Sequence, residues 1–184
     1  AWCTVLSLAA TDLLGRPKKC RLPNSKMRTQ VLFVDISRAY FNAPTGPSEP
    51  TYVQLPAEDP DSGRGLCGLL QRHMYGTQKA AEGWQSEYSG TLVDLGFVQG
   101  VACPCIFFPP DKEIVCTVHG DDFTNLGTDD VLDWLHAEFA KHFDIKVRGR
   151  IGEGVTGDND MRILNRIVSW TPQGITHEAD QRHA

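Results

Sequence analysis

The sequence contains no apolar run long enough to cross a membrane, and it does not open with the charged, apolar and small-residue segments of a secretion signal. We therefore expect a protein that stays inside the cell and outside the membrane. Basic residues are also in the minority, because 18 Lys and Arg stand against 23 Asp and Glu and give a formal net charge of −5. This balance excludes a surface coated with basic residues for nucleic acid, but it is compatible with a local basic channel beside an acidic site.

Cysteine pairs at the spacing of a zinc knuckle or a redox motif are missing. Cys103 and Cys105 have a single residue between them, and no Cys or His pair at ligand spacing stands near them. The six cysteines are scattered, and several lie among apolar residues, where a thiol behaves as a small hydrophobic group. We expect neither a zinc site nor disulfides.

The chain is long enough, at 184 residues, for one domain with a buried core, or for one domain and part of another. It begins at Ala1 rather than at a Met, and it ends at Ala184 inside a pattern that continues. We therefore interpret it as a segment of a longer polyprotein.

Two adjacent acids, Asp121 and Asp122, follow Gly120 between two apolar runs. The run 113–119 alternates with period two, and 123–126 resumes briefly before the next glycine, which together predict a hairpin with acids at its tip. Adjacent side chains on a strand point to opposite faces, so both carboxylates approach one site only if the backbone turns sharply at Gly120. An ordinary polar turn would also account for these acids.

A third acid, Asp35, lies near the end of the nearly continuous apolar run 30–36, which predicts a buried strand. An unpaired buried carboxylate is costly, so Asp35 must be held by hydrogen bonds or a cation, or directed at a cleft. Residues 37–44 predict a compact turn ended by Pro44, with backbone N–H groups available for a phosphate.

The rest of the chain predicts a framework of helices and short strands. We expect helices over 3–14, 77–95 (capped by Thr77) and 128–142, and the start of another at 178–183. We expect strands over 51–55, 101–108, 143–147 and 162–170, a Gly-rich loop over 149–160 and a turn at 172–174. The buried positions expected on the second helix are Ala80, Ala81, Trp84, Tyr88, Leu92 and Leu95. Those expected on the third are Val131, Leu135, Phe139 and Ala140 or Phe143.

Six short motifs stand in the order in which they occur in copia-type LTR retrotransposon reverse transcriptases. Residues 33–41 (FVDISRAYF) resemble the first catalytic strand, Asp-x-x-x-Ala-(Tyr/Phe)-(Phe/Leu), and the hairpin at 121–122 resembles the second. Stretches 51–56, 74–84 and 95–105 resemble the Tyr-Met-x-x-Pro, Tyr-Gly-x-x-Gln and Leu-Gly-Phe…Asp-Pro-Cys segments of that family. Residues 162–170 resemble its Phe-Leu-Gly-Ile-Glu-Ile strand, so the resemblance runs from about residue 5 to 168.

The resemblance implies an α+β fold, a reverse-transcriptase palm whose antiparallel sheet has helices packed on one face and acids at an open edge. It implies a palm over 1–170 with truncated fingers, and the start of a connection to a thumb over 171–184. By resemblance, Asp35 and Asp121 bridge two Mg²⁺ ions, for which Mn²⁺ is a substitute, and Asp122 supports them. Such ions activate a primer 3′-hydroxyl and stabilise the leaving pyrophosphate.

Contacts to nucleotide and primer are implied in the same way. The implied nucleotide contacts are Ile36, Arg38, Ala39, Tyr40 and Lys79. The N–H groups of Arg38 and Ala39 would bind the triphosphate, and Tyr40 would lie under the sugar and exclude a 2′-hydroxyl. For Tyr40, a core aromatic beside Phe41 is the alternative.

The chain departs from the family at two of these places. His119 and Gly120, the implied primer contacts, stand where the family usually has Tyr-Val. Lys79 stands at the position of a typical Gln, and Glu82 reverses a charge. These departures put the contacts to primer, template and nucleotide in question.

The resemblance also implies partners and a setting. The partners are an RNA or DNA template, a DNA or tRNA primer, deoxynucleoside triphosphates, and the integrase and ribonuclease H domains of the same polyprotein. The setting is a cytoplasmic particle or the nucleus of a cell that hosts the transposable element.

Three functions fit the acids. The first is the palm of an RNA-directed DNA polymerase, which as an isolated fragment would be weakly active or inactive. The second is a catalytically decayed or co-opted palm that binds nucleic acid or other proteins. The third is an unrelated Mg²⁺ phosphohydrolase or cyclase with a similar sheet, which leaves Tyr40 without an explanation.

Overall fold

The structure, a computed structural model, describes residues 2–11, 29–47, 50–152, 154–156, 159–164 and 166–178. The helices are α1 (Trp2–Thr11), α2 (Ala80–Asp94) and α3 (Asp129–His142), with a 3-10 helix at Ala39–Asn42. The strands are β1 (Thr29–Ile36), β2 (Tyr52–Gln54), β3 (Cys67–Leu69), β4 (Val98–Gln99), β5 (Ile106–Phe108), β6 (Ile114–His119), β7 (Asp122–Thr128), β8 (Ile145–Gly152), β9 (Asp160–Ile163), β10 (Arg166–Thr171) and β11 (Gly174–His177).

The chain divides into two compact units, Ala1–Ser37 with Leu92–Ala184, and Arg38–Thr91. The first unit contains a six-stranded sheet in the order β4-β5-β6-β7-β1-β8, in which every neighbouring pair is antiparallel. A separate antiparallel sheet has the order β11-β10-β9. The predicted α+β class with an antiparallel sheet is therefore confirmed, whereas the predicted boundary after residue 170 stays a prediction.

α1 and α3 lie on opposite faces of the six-stranded sheet. α1 packs Val5 into a core cluster with Leu126 of β7, and α3 packs Phe139 edge-on against Phe123 of β7 with ring centroids 5.3 Å apart. Because side chains alternate along a strand, Phe123 and Leu126 face opposite sides. The expectation of helices on one face is wrong, since apolar periodicity shows which side of a helix is buried but not which face of a sheet it covers.

Two strands are longer than their glycines suggest. β7 was expected to end before Gly127, but it continues to Thr128. A Cβ at position 127 would lie 3.0 Å from the carbonyl oxygen of Glu113, a tight approach that favours glycine within the strand. β8 runs through Gly149 to Gly152, where a loop was expected. Its pairing with β1 shifts register between Phe33 and Val34, which leaves one extra residue in β8.

The helices match their predicted ranges closely, with differences in detail. On α2, Ala81 is exposed and Leu95 only half-buried, while the other four expected positions are buried. On α3, Leu132 is buried in place of Val131. Thr77 donates its hydroxyl to the Met74 carbonyl three residues before α2 begins, so it does not cap the helix as predicted.

The predicted strands at 101–108 and 162–170 differ more. The first is confined to β5, because residues 103–106 form a turn. The second is the hairpin of β9 and β10, and Leu164 takes a positive φ of 47° between them. The expected turn at 172–174 is present and joins β10 to β11.

The second unit has short elements and exposed apolar side chains. Its strands β2 and β3 have three residues each, and Tyr52 of β2 pairs with Leu69 of β3 while both are about half exposed. Residues 12–14 of the first expected helix, the basic residues between 18 and 28, and residues 179–183 of the helix start expected over 178–183 lie outside the described residues. Within the described ranges, no helix has the length and apolarity needed to span a bilayer.

Candidate functional site

The β6–β7 hairpin is the two-strand unit that the sequence predicts, with Gly120 and Asp121 as its turn. The last cross-strand pair is His119 with Asp122, so only two residues connect the strands. Gly120 has φ 66°, and a positive φ at the first position of a two-residue hairpin turn favours glycine. The sharp turn that both carboxylates need in order to approach one site is therefore present at Gly120.

Asp35 lies directly across from Asp122. In the pairing of β1 with β7, Asp35 is the register partner of Asp122, and the N–H of Ile36 donates to the carbonyl oxygen of Asp121 at 2.9 Å. Cross-strand partners have Cβ atoms about 4.5–5.5 Å apart and point to the same face. Three acids that are distant along the chain thus meet at one end of the sheet, in a register that backbone hydrogen bonds fix.

The same face carries a row of four polar side chains across four adjacent strands. The pairs His119 with Asp122, Asp122 with Asp35, and Asp35 with Lys146 run from β6 through β7 and β1 to β8. We call these four residues the acidic row. Two carboxylates stand in its centre, with a histidine and a lysine at its ends.

The carboxylates of Asp35, Asp121 and Asp122 repel one another, and Asp122 shows the effect. The pKa of Asp122 is raised above its ordinary value, first by partial burial, then by the negative charges of Asp121 and Asp35. The charges of Arg148 and His119 act in the opposite direction and do not cancel the shift. Burial is thus the main cause of the shift, and the two neighbouring carboxylates add to it.

Arg148 is the residue that sequence reasoning missed. It is the extra residue of the register shift in β8, and its guanidinium lies 3.2 Å from a carboxylate oxygen of Asp35. Its side chain is half exposed, so the ion pair is partly hydrated and modest in strength. Lys146, Arg148 and Arg150 alternate with other residues after Phe143, and this pattern could have predicted a basic strand that contains Arg148.

The donor set fits a hard divalent cation. Asp35, Asp121 and Asp122 supply only carboxylate oxygens, the ligands that Mg²⁺ and Mn²⁺ prefer, and their mutual repulsion favours a cation between them. In the described part of the chain, however, no group of three Asp, Glu, His or Cys side chains is already arranged to hold a metal ion. One carboxylate oxygen of Asp35 is paired with the guanidinium of Arg148.

Ile36, one of the expected nucleotide contacts, belongs to the first unit. Its side chain is buried at 1% exposure, and its N–H is bonded to Asp121. In this position Ile36 supports the acids, and a contact with nucleotide stays a prediction.

The other expected nucleotide contacts belong to the second unit. Arg38 has a left-handed backbone, with φ 53°, and precedes the 3-10 helix in which Ala39 is buried. Tyr40 is half-buried and packs edge-on against Tyr75 with ring centroids 4.4 Å apart. Phe41 is 44% exposed, so a core pair of Tyr40 with Phe41 does not form.

Lys79 is paired on the surface of the same unit. Its ammonium lies 3.2 Å from a carboxylate oxygen of Glu82, the residue that reverses a charge of the family pattern. Lys79 and Glu82, the two departures from the family pattern, therefore neutralise each other in an ion pair. An ammonium already paired in this way has a weaker attraction for a phosphate.

Comparison of the chain with models of known protein families and with curated proteins found no match.

Proposed function

We propose that this chain is the palm of an RNA-directed DNA polymerase of a copia-type retrotransposon, which transfers a nucleotide to a primer 3′-hydroxyl. The observation that carries the proposal is the position of Asp35 directly across from Asp122. The next residue, Ile36, donates its N–H to the carbonyl oxygen of Asp121. The register of β1 with β7 supports the proposal, because it brings two acids that are far apart along the chain to neighbouring positions of the sheet. No nucleophilic side chain is needed for this reaction.

In this proposal Asp35, Asp121 and Asp122 would hold two Mg²⁺ ions. When bound, such ions favour ionisation of the 3′-hydroxyl and neutralise charge on the leaving pyrophosphate. The protein's own part is to hold the carboxylates at one place. The antiparallel ladder of β1 with β7 fixes their spacing, and the positive charges of Arg148 and His119 oppose protonation of Asp122.

The turn of the hairpin would meet the primer. Gly120 is exposed and has no side chain, and His119 is exposed at the end of β6 next to Asp122. An imidazole in this position can donate a hydrogen bond to a phosphate or sugar oxygen of the primer end. Tyr40 would lie under the sugar, and Arg38, Ala39 and Lys79 would contact the triphosphate.

The proposed partners follow from this reaction. They are an RNA or DNA template, a DNA or tRNA primer, deoxynucleoside triphosphates and the other domains of the polyprotein, in a cytoplasmic particle or the nucleus.

Replacement of one acid tests the proposal. Asp35→Asn is compared with the unchanged protein in template-directed primer extension, using this segment extended at both ends, and in Mn²⁺ binding. We expect extension to fall by about a thousandfold, because loss of a metal ligand removes several kcal/mol at about 1.4 kcal/mol per tenfold. Mn²⁺ binding should weaken, with the folded state retained.

Asp133→Asn is the matched control for this test. Asp133 belongs to α3 and pairs with Arg150, away from the acidic row, so its loss should leave extension unchanged. Equal activity of Asp35→Asn and the unchanged protein would refute the assignment of Asp35 as a ligand.

A catalytically decayed or co-opted palm is the second candidate. The ion pair of Arg148 with Asp35 favours it, since a cation of the protein stands at a carboxylate that a polymerase would give to metal. Replacement of the family's Tyr-Val by His119 and Gly120 favours it as well. Binding of a primer–template without Mg²⁺-dependent extension, unchanged by Asp35→Asn, would support this candidate over the first.

A further inference from the structure

Two thiols meet in the turn that leads into β5. Ile106 donates its N–H to the carbonyl of Cys103 at 3.0 Å, which closes a four-residue turn with Pro104 at its second position. The turn brings the sulfur atoms of Cys103 and Cys105 to 3.4 Å from each other. Proline suits this position because its φ is fixed at the value that the turn requires.

Contacts from the neighbouring backbone hold this turn in place. The side chain of Gln99 donates to the carbonyl of Pro104 at 2.7 Å, and the N–H of Gly100 donates to the carbonyl of Ile106 at 2.8 Å. A Cβ on Gly100 would lie 2.8 Å from the Cys103 carbonyl oxygen, so glycine is required beside the turn. These contacts fix the backbone from which the two thiols project.

The pair differs from the other described cysteines in its surroundings. Cys103 and Cys105 are both half-buried, so a small molecule can reach them. Cys116 is fully buried, so a small molecule cannot reach its thiol, whose pKa burial also raises far above the usual range. The pKa of Cys105 is raised too, first by burial and then by its hydrogen bond with Cys103, so a higher pH favours attack by its thiolate. Cys3 and Cys67 are exposed free thiols without a second thiol beside them in the described residues.

We propose that Cys103 and Cys105 form a dithiol site that exchanges with small-molecule disulfides and closes into a disulfide within the turn. The thiolate of one cysteine attacks the small-molecule disulfide, whose S–S bond breaks and releases one thiol. The second cysteine then attacks the mixed disulfide, forms the Cys103–Cys105 bond and releases the second thiol. The protein loses two electrons and two protons, and the small molecule gains both as two thiols.

Geometry favours closure over the mixed disulfide. A disulfide needs an S–S distance of about 2.05 Å, so the sulfurs must approach by roughly 1.4 Å from their present separation. The carbonyl of Cys105 accepts a hydrogen bond from Val118 at 2.9 Å, one residue before His119. Closure therefore takes place beside the hairpin that carries the acids, although the exchange itself needs neither metal nor nucleotide.

Mass spectrometry in glutathione mixtures tests the site. In the protein used for this test, serine replaces Cys3, Cys20 and Cys67. The protein is equilibrated with glutathione disulfide in the presence of about 0.1 mM glutathione and quenched in acid, and its intact mass is then measured. An intramolecular thiol acts at an effective concentration of about 1 mM or more, so the closed form should exceed the mixed disulfide at least about tenfold. The expected product has lost two hydrogens, and peptide mapping should place the bond between Cys103 and Cys105.

Cys103→Ser and Cys105→Ser in the same background are the matched controls. Each leaves one thiol of the pair, so each should gain a glutathione and show no loss of two hydrogens. Accumulation of mixed disulfides on the unsubstituted pair would overturn the proposal. So would a pair that remains as two thiols in a mixture where Cys3 and Cys67 of the natural chain are fully modified.

Discussion

The two compact units place their predicted site residues by different means. In the first unit, the acids belong to long antiparallel strands, and backbone hydrogen bonds set the register of Asp35, Asp121 and Asp122. In the second unit, the predicted nucleotide contacts belong to a four-residue 3-10 helix and to a turn before α2. Their positions depend on side-chain contacts such as the edge-on packing of Tyr40 against Tyr75.

This difference shows where sequence reasoning is secure. A strand register is over-determined, because slipping by one residue would move every side chain of the strand to the other face. A surface ion pair such as Lys79 with Glu82 has no comparable restraint and contributes little energy. We therefore expect the first unit to be held by its buried interior and the second by local contacts.

The largest effect is expected from the interior of the first unit. Leu126→Ala should lower the free energy of unfolding by about 2–5 kcal/mol, because a fully buried side chain is replaced by a cavity. Leu69→Ala in β3 is the control, and its 48% exposed side chain should change stability by less than about 0.5 kcal/mol. Chemical denaturation measures both, and similar losses would show that the second unit depends on its apolar side chains as much as the first.

Two glycines of α2 give a sharper comparison inside the second unit. Gly83→Ala should destabilise by about 1–3 kcal/mol, because its Cβ would lie 2.2 Å from the ring of the buried His73. Gly90→Ala should stabilise by about 0.5–1 kcal/mol, since nothing lies within 4 Å and alanine favours a helix. Thermal unfolding measures the two signs, and stabilisation by both would mean that His73 moves freely.

The strands that carry the acids were predicted correctly, because backbone chemistry fixes them. The hairpin followed from period-two alternation on both sides of Gly120, and the strand containing Asp35 followed from a continuous apolar run. Convergence of the acids needed one more element, the motif order of a known family, because spacing along the chain does not give the order of strands in a sheet. The register of Asp35 with Asp122 agrees with that expectation.

The parts that were missed depend on close approach and on packing direction. Gly127 and Gly149 were taken as ends of strands, although glycine also marks places where another backbone or side chain comes near. The contact of Arg148 with Asp35 was not predicted, because Arg148 is an extra residue in β8 and the regular alternation of side chains along a strand does not give its direction. Placement of α1 and α3 on opposite faces could not be read from either helix alone.

Arg148 offers a test of the balance of charge in the acidic row. Arg148→Gln should tighten Mn²⁺ binding by about fivefold, because loss of a half-exposed guanidinium beside Asp35 removes about 1 kcal/mol of competition. Arg150→Gln is the control, since Arg150 pairs with Asp133 of α3 and should leave Mn²⁺ affinity unchanged. Titration calorimetry measures both, and equal effects would mean that only net charge matters.

The smallest expected effect is a dependence of stability on pH at Asp122. Its raised pKa means that the folded state binds the proton more tightly than the unfolded state, so stability falls as pH rises from the ordinary value of 3.8 through the raised one. Asp122→Asn should therefore raise the free energy of unfolding at neutral pH by roughly 0.2–1 kcal/mol, the range for a cross-strand pair that solvent partly screens. The gain should vanish below pH 3.8, where both states carry the proton.

Asp111 gives this measurement a control of opposite sign. Its pKa is lowered, first by a hydrogen bond from Lys112, so its contribution is present above the ordinary value of 3.8 and is lost as pH falls through the lowered one. Asp111→Asn should leave stability at neutral pH unchanged or lower, never higher. Denaturation at a series of pH values distinguishes the two acids. A curve for Asp122→Asn parallel to that of the unchanged protein would mean that Asp122 binds its proton equally in the folded and unfolded states, and the case for a cation at Asp35, Asp121 and Asp122 would lose its electrostatic support.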